Sequence, residues 1–348
     1  MNQLSQEKKK PKKLVFKIIL FTSTFISMFF VPWLLVWAWI LPLPNTVQEQ
    51  VDQAITHGFD GMIVYTNQGG KEGFYAGGWH DKEAQIPADP HALFKIASIS
   101  KLYLAATLTK LVQEDKLDLD APLSKYLPEL QGGIENANEI TLRMMVGHRS
   151  GIPNFTDSPN FWSEPAKSYE ESLALILNKP ANFEPGTDYE YCNTNYLLLA
   201  RIIDQTLGYE HYEFIQSEIL DPLELKHTYK SLEQVDLQQV MSGYHQGYPY
   251  NLREDEHGML ATAQDVGTFV KALNQGGVFS EGGQEIYESI YELEHGGWVP
   301  GYQSFVAYHK DIDAIIVAFY STTDSELYNW NLSEIINSRI YKILKKNP

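Results

Sequence analysis

Ser98-Ile99-Ser100-Lys101 stands at the head of an amphipathic run, 98–114, in which Leu102, Ala105, Leu108 and Val112 form one apolar stripe. An S-x-x-K at the start of a helix puts a serine hydroxyl and a lysine amine one turn apart on one face. An amine held there can take the hydroxyl proton and make Ser98 a nucleophile. The same tetrapeptide pattern recurs at Ser5-Gln6-Glu7-Lys8, inside a lysine-rich tail. Spacing therefore does not select the site, but order does. Two further motifs follow Ser98 downstream: Tyr191-Cys192-Asn193, after the turn Phe183-Glu184-Pro185-Gly186-Thr187, and His295-Gly296-Gly297-Trp298-Val299-Pro300-Gly301-Tyr302. A second Y-x-N, Tyr65-Thr66-Asn67, precedes the serine.

Outward from this stretch, the pattern places strands at both ends and helices between them. Met62-Ile63-Val64-Tyr65 and Gly73-Phe74-Tyr75-Ala76 flank Asn67-Gln68-Gly69-Gly70, the signature of a β-hairpin. Residues 303–308 and 314–320 read as two strands around Asp311-Ile312-Asp313. A closing helix turns Leu327, Trp330, Ile335, Ile336, Ile340 and Ile343 inward. Residues 115–180 hold short helices, loops and prolines, and 195–206 read as helical. The expected class is α+β: an antiparallel sheet built from the N- and C-terminal segments, flanked by helices, with an inserted, mainly helical region.

The composition supports a large core, with 44% hydrophobic and 20% charged residues in 348. Charge is divided unevenly. Residues 1–17 carry six lysines and one glutamate, a net of +5, which leaves −22 for the rest. A body that acidic repels nucleic acid, so no nucleic-acid partner is expected. The single Cys192 excludes an intrachain disulfide and a cysteine-rich metal site, and reads as a small buried filler. There is no H-E-x-x-H, and the densest metal candidate, Glu254-Asp255-Glu256-His257, reads as a solvated acidic loop. No metal and no cofactor is expected. The absence of G-x-S-x-G argues against an α/β-hydrolase.

The N-terminus carries its own signal. A basic cluster at Lys8 to Lys13 precedes 26 positions, Ile18 to Leu43, without a charged residue. That exceeds the roughly 20 residues a helix needs to cross a bilayer. Trp33, Trp37 and Trp39 lie near its outer end, where aromatic rings favour the interface. No small-residue cleavage site follows. The expectation is a basic cytoplasmic tail at 1–13, one uncleaved transmembrane helix at 14–43, and an extracytoplasmic domain at 44–348 in a single-pass cell-membrane protein.

The ordered motifs resemble the serine β-lactamase and D,D-peptidase (penicillin-binding) superfamily, in the branch of class C β-lactamases, D-alanyl-D-alanine carboxypeptidases and related esterases. Met145-Val146-Gly147-His148-Arg149-Ser150-Gly151-Ile152-Pro153 is similar to that family's L-L-x-H-T-S-G loop, and Ala261-Thr262-Ala263-Gln264-Asp265 to its S-T-A-x-D turn. The resemblance covers about residues 50–345. It implies an acyl-enzyme on Ser98, with Lys101 or Tyr191 as the base. Asn193 would hold the substrate amide or Lys101, and the N–H groups of Ser98 and Trp298 would hold the oxyanion. His295 and Gly297 would line the strand edge where substrate docks, while His148 would be structural. The implied substrate is an amide or ester, such as a D-alanyl cell-wall peptide or a β-lactam-like mimic. Two other readings stand beside it: a carboxylesterase of the same fold, and a penicillin-binding sensor that does not turn over. Departures from the family pattern are His295 in place of lysine, Cys192 in place of serine, Asn195 in place of glycine and Arg149 in place of threonine. Without the lysine there is no fixed cation for a substrate carboxylate, because histidine is mostly neutral at pH 7.

Overall fold

The computed structural model describes residues 11–166, 168–256 and 258–347. Most of the basic tail and His257 of the acidic loop lie outside them. The chain divides into two units, 1–42 and 43–348.

In the first unit the apolar segment is not one helix. It forms α1 (Pro11–Met28) and α2 (Trp33–Ile40), bent by 79° at the break between them. Proline supplies the reason: Pro32 has no N–H for the i−4 bond, and its ring pushes the preceding residue out of the helical region. The sequence expectation of one continuous transmembrane helix over 14–43 is therefore corrected. Among the described residues, no single helix is long and apolar enough to cross a membrane.

The second unit is α+β. After α3 (Val47–Thr56), capped by Thr46 and Glu49 in a reciprocal capping box, come β1 (Gly61–Gln68), β2 (Lys71–Asp81) and β3 (Ile86–Pro87). The nucleophile helix α4 (Ser100–Gln113) follows, then α5 (Asn193–Leu207) and α6 (Ala263–Asn274). The chain closes with β4 (His295–Val299), β5 (Tyr302–His309), β6 (Ala314–Tyr320) and α7 (Tyr328–Lys346). The strands form one six-stranded antiparallel sheet in the order β3-β2-β1-β6-β5-β4. The N- and C-terminal segments meet at β1 and β6, where Tyr65 pairs with Val317 and Met62 with Tyr320.

Both central strands are buried on their two faces, so they read as continuous apolar runs and not as alternation. One face takes α7, with the Tyr320 hydroxyl donating to Asn337 Oδ1 at 2.6 Å. The other takes α6, where Gly267 lets the helix approach so closely that an added Cβ would sit 2.6 Å from the Tyr65 ring. On that same face Phe319 stacks on Phe94 at 4.6 Å, which anchors the segment leading into Ser98 to the middle of the sheet.

The hairpin and the two C-terminal strands lie where the sequence places them. In the closing helix Ile336, Ile340 and Ile343 are buried. Leu327 is not: it is 48% exposed and left-handed at the helix N-cap, because Asp324 bonds the first helical N–H groups and turns the chain outward there.

Candidate active site

Ser98 lies in a 3-10 turn, Ala97–Ile99, one step before α4 begins. The turn is tethered on both sides: the Ile96 N–H donates to Met259 O (3.1 Å), and Ile96 O accepts from Ser304 Oγ on β5 (2.8 Å). Ala97 has φ +49, a left-handed conformation that an alanine adopts only under constraint, at a cost of about 1–3 kcal/mol.

Three side chains converge on the hydroxyl. Lys101 Nζ donates to Ser98 Oγ at 3.0 Å, and the Tyr191 hydroxyl donates to the same oxygen at 2.7 Å. Lys101 Nζ also donates to Asn193 Oδ1 at 2.9 Å. Lys101 is buried, with its ammonium 5.1 Å from the Tyr191 ring centre and 5.5 Å from that of Tyr196. Burial lowers the Lys101 pKa to about 7, so a large fraction of the amine is neutral at physiological pH. The same burial pushes the Tyr191 phenol well above its ordinary value and keeps it protonated. Of the two groups on Ser98, the lysine is the one that can accept a proton near neutrality.

Tyr191 and Asn193 owe their places to His148. The Cys192 N–H donates to His148 Nδ1 (3.1 Å), and the His148 ring packs 4.5 Å from Tyr191. An acceptor at Nδ1 puts the proton of neutral His148 on Nε2. Burial and the nearby Lys101 hold its pKa down at about 3. The structural role expected for His148 is met. Cys192 is buried, and its thiol donates to Ile152 O at 3.2 Å.

On the opposite wall runs β4, the edge strand, hydrogen-bonded to β5 on one side. Gly297 is what lets it approach. A Cβ there would lie 2.4 Å from Ser304 Oγ, 2.5 Å from Ile96 O and 3.0 Å from Ala97 Cβ. Gly297→Ala is expected to push β4 off the Ser98 turn and lower hydrolytic kcat/KM by about 100-fold, the usual effect of an ångström-scale misplacement. Parallel melting curves, with a loss of about 1–3 kcal/mol from overpacking, separate misplacement from unfolding.

His295 is neutral and oriented. Nδ1 donates to the Gly296 carbonyl, and Nε2 accepts from the Tyr291 hydroxyl at 2.7 Å. Burial lowers its pKa to about 4. It cannot serve as a cation at neutral pH.

The structure thus brings Ser98, Lys101, Tyr191 and Asn193 into direct contact, and sets Gly297 and Trp298 beside the Ser98 turn. Sequence reasoning missed Tyr291, which fixes the His295 ring, and the pair Asn154 and Thr156. Asn154 Oδ1 accepts from the Asn193 N–H (3.0 Å), and Asn193 Nδ2 donates to Thr156 Oγ1 (3.1 Å). It also missed Lys95, fully buried three residues before the serine. Lys95 Nζ donates to Leu252 O (2.5 Å) and Asp255 O (2.6 Å), 4.7 Å from the Tyr302 ring centre. Its pKa is also lowered to about 7 by burial. Lys95 ties the 252–255 loop to the strand before Ser98.

Residues 43–289 match the beta-lactamase family model. The chain belongs to this family. The match ends before β4, so the edge-strand motif is supplied by the structure. Among curated relatives, Protein flp of Staphylococcus aureus (strain MW2) is 29% identical over 193 residues, which is 53% of this chain and 39% of that protein. The chain thus spans about two fifths of that relative's length. The teichoic acid D-alanine hydrolase of Staphylococcus aureus is 26% identical over 231 residues, 64% of this chain and 56% of that protein. Among solved structures, the D-amino acid amidase of Ochrobactrum anthropi SV3 superposes with a TM-score of 0.77 at 22% identity, covering 87% of this chain and 99% of its own. The penicillin-binding protein of Bacillus halodurans gives 0.71 at 18%, covering 84% and 99%. At those identities the structural likeness establishes the fold.

Proposed function

We propose that the chain is a serine hydrolase that cleaves an amide or ester through an acyl-Ser98 intermediate. The observation that carries this reading is the convergence of a desolvated Lys101 amine and the Tyr191 hydroxyl on one serine oxygen. Ser98 Oγ attacks the substrate carbonyl carbon as its proton passes to Lys101 Nζ. The C–N or C–O bond then breaks, and the leaving group takes the proton, relayed through Tyr191. Water next attacks the acyl ester, giving the free acid and restoring Ser98. The N–H groups of Ser98 and Trp298 hold the oxyanion in both steps. Asn193 keeps Lys101 aimed at the serine, and the β4 edge at His295 and Gly297 receives the substrate backbone.

The substrate we infer is a D-alanyl ester or amide of the cell envelope. The named activities of the D-alanine hydrolase and the D-amino acid amidase support it. A neutral His295 favours a substrate with no carboxylate beside the scissile bond, and so an ester over a β-lactam or a peptide C-terminus. The anchor belongs to the same proposal. Residues 14–40, with exposed Phe16, Phe21, Phe25, Phe29, Trp37 and Trp39, hold the domain at the membrane as a bent helix pair, with the lysines cytoplasmic and residues 44–348 outside.

The test is to incubate the full chain in detergent with a fluorophosphonate and, separately, a fluorescent penicillin, and to locate adducts by peptide mass. Fluorophosphonate on Ser98 with little or no penicillin label is the expected result. Release of D-alanine from D-alanyl esters, faster than L-alanine from the L-esters, is expected with it. Equal labelling by both probes moves the substrate toward cell-wall peptides, and no adduct from either overturns the hydrolase reading.

A further inference from the structure

The loop after His148 does more than support Asn193. Asn154 and Thr156 bond Asn193, and the Phe155 N–H donates to Thr194 Oγ1 at 3.0 Å, so the loop starts on the helical wall of the site. Aromatic rings then carry it across. Phe155 meets Phe161 edge-on at 5.3 Å, Phe161 meets Trp162 edge-on at 5.2 Å, and Trp162 meets Trp298 edge-on at 5.3 Å with the planes at 89°. Trp298 belongs to β4, on the sheet wall, next to the Gly297 that abuts the Ser98 turn. The contacts close a ring: from Ser98 through Lys101 and Asn193 to the loop, across Trp162 to Trp298, and back along Gly297.

We infer that Trp162 is a specificity-determining residue that limits the length of the acyl group Ser98 accepts. The inference rests on the serine hydrolase reading. The circuit begins and ends at the Ser98 turn, and the Trp162–Trp298 contact is the link in it between the loop and the β4 edge, where an acyl group on Ser98 would extend. A short acyl group, such as that of a small amino acid, fits without disturbing the contact. A long alkyl chain has to part the two indoles, which lose their edge-on contact and gain water. Nothing covalent restrains the two rings, so the limit is set by the bulk of Trp162 and is open to substitution.

The experiment compares kcat/KM for p-nitrophenyl acetate, butyrate and octanoate, using the full chain in detergent, for the parent, Trp162→Ala and Trp162→Phe. The ratio of octanoate to acetate is the readout, because general loosening of the site slows all three esters alike. Trp162→Ala is expected to raise that ratio by about 10-fold or more, the scale on which apolar pockets discriminate chain length, and Trp162→Phe by less. If Trp162→Ala does not fold, the Phe variant carries the comparison by itself. A parent that hydrolyses acetate, with a ratio unchanged within about two-fold in every folded variant, overturns the inference and leaves the hydrolase standing. A parent that cleaves none of the esters and takes no fluorophosphonate at Ser98 removes the hydrolase reading, and this inference with it.

Discussion

Ser98→Ala is expected to reduce ester and amide hydrolysis by about 10⁴-fold or more, the scale seen when the nucleophile of an acyl-enzyme mechanism is removed. The hydroxyl bonded to it is that of Tyr191, and burial holds this phenol protonated. Stability should fall by about 1–3 kcal/mol at most: Lys101 keeps its bond to Asn193, whereas the buried Tyr191 hydroxyl loses its acceptor on Ser98. The measurement is initial rate on a chromogenic ester together with fluorophosphonate labelling, with circular dichroism on the same samples. A folded alanine variant that hydrolyses as fast as the parent would falsify the assignment of the nucleophile.

Lys101→Met is expected to cost about 10³-fold in kcat/KM and to abolish a step in the pH profile, since general-base removal is worth about 10²–10⁴-fold. The sign follows from the shift. Below about pH 7 the parent's Lys101 is protonated and cannot take the serine proton, so activity rises with pH through a midpoint near 7. In the methionine variant that step is gone. Lys101→Arg does not restore it, because a guanidinium stays charged throughout. Stability offers an independent check on the same group. The unfolded lysine keeps its proton up to about pH 10.5, whereas the folded one loses it near 7. Between those limits the unfolded chain binds the extra proton, so the parent gains stability relative to Lys101→Met as pH rises, by about 1.4 kcal/mol per unit at most. Denaturant melts of both proteins at pH 7 and pH 9 measure the difference. A parent profile flat between pH 6 and 8 would instead assign the base role away from Lys101.

Much of this site was legible in the sequence. The S-x-x-K turn, the Y-x-N after its proline-glycine turn and the glycine pair before Trp298 are local patterns, and their order along the chain restricts them to one arrangement. The hairpin at 61–81 and the paired strands at 302–320 were legible for the same reason, because turn chemistry and apolar runs act over a few residues. The N-terminal segment misled. A charge-free run of 26 residues reads as one span, but Pro32 outweighs hydropathy locally and breaks the helix. Leu327 misled as well, since an inward stripe was extended to the N-cap position, one residue before the helix that Asp324 caps.

Other features have no signature of their own. Lys95, three residues before Ser98 in an ordinary strand pattern, gives no hint that it will be fully buried against two carbonyl oxygens from residues 252 and 255. Tyr291 precedes His295 by four residues in irregular chain, where no periodicity relates their side chains. The Trp162–Trp298 contact joins positions 136 residues apart in different walls of the site.

By itself the sequence determined which groups are present and in what order: one nucleophile, one amine a turn away, one tyrosine, and a glycine where a side chain would collide. Tertiary structure alone decided their chemical state. Lys101 has a pKa near 7, His295 is neutral with its proton on Nδ1, and the strap carrying Trp162 reaches the opposite wall. The reason is desolvation. The free energy of a charge depends on how much water the whole fold removes around it, and that sum is taken over residues brought together from β4, α4, α5 and the loops between them.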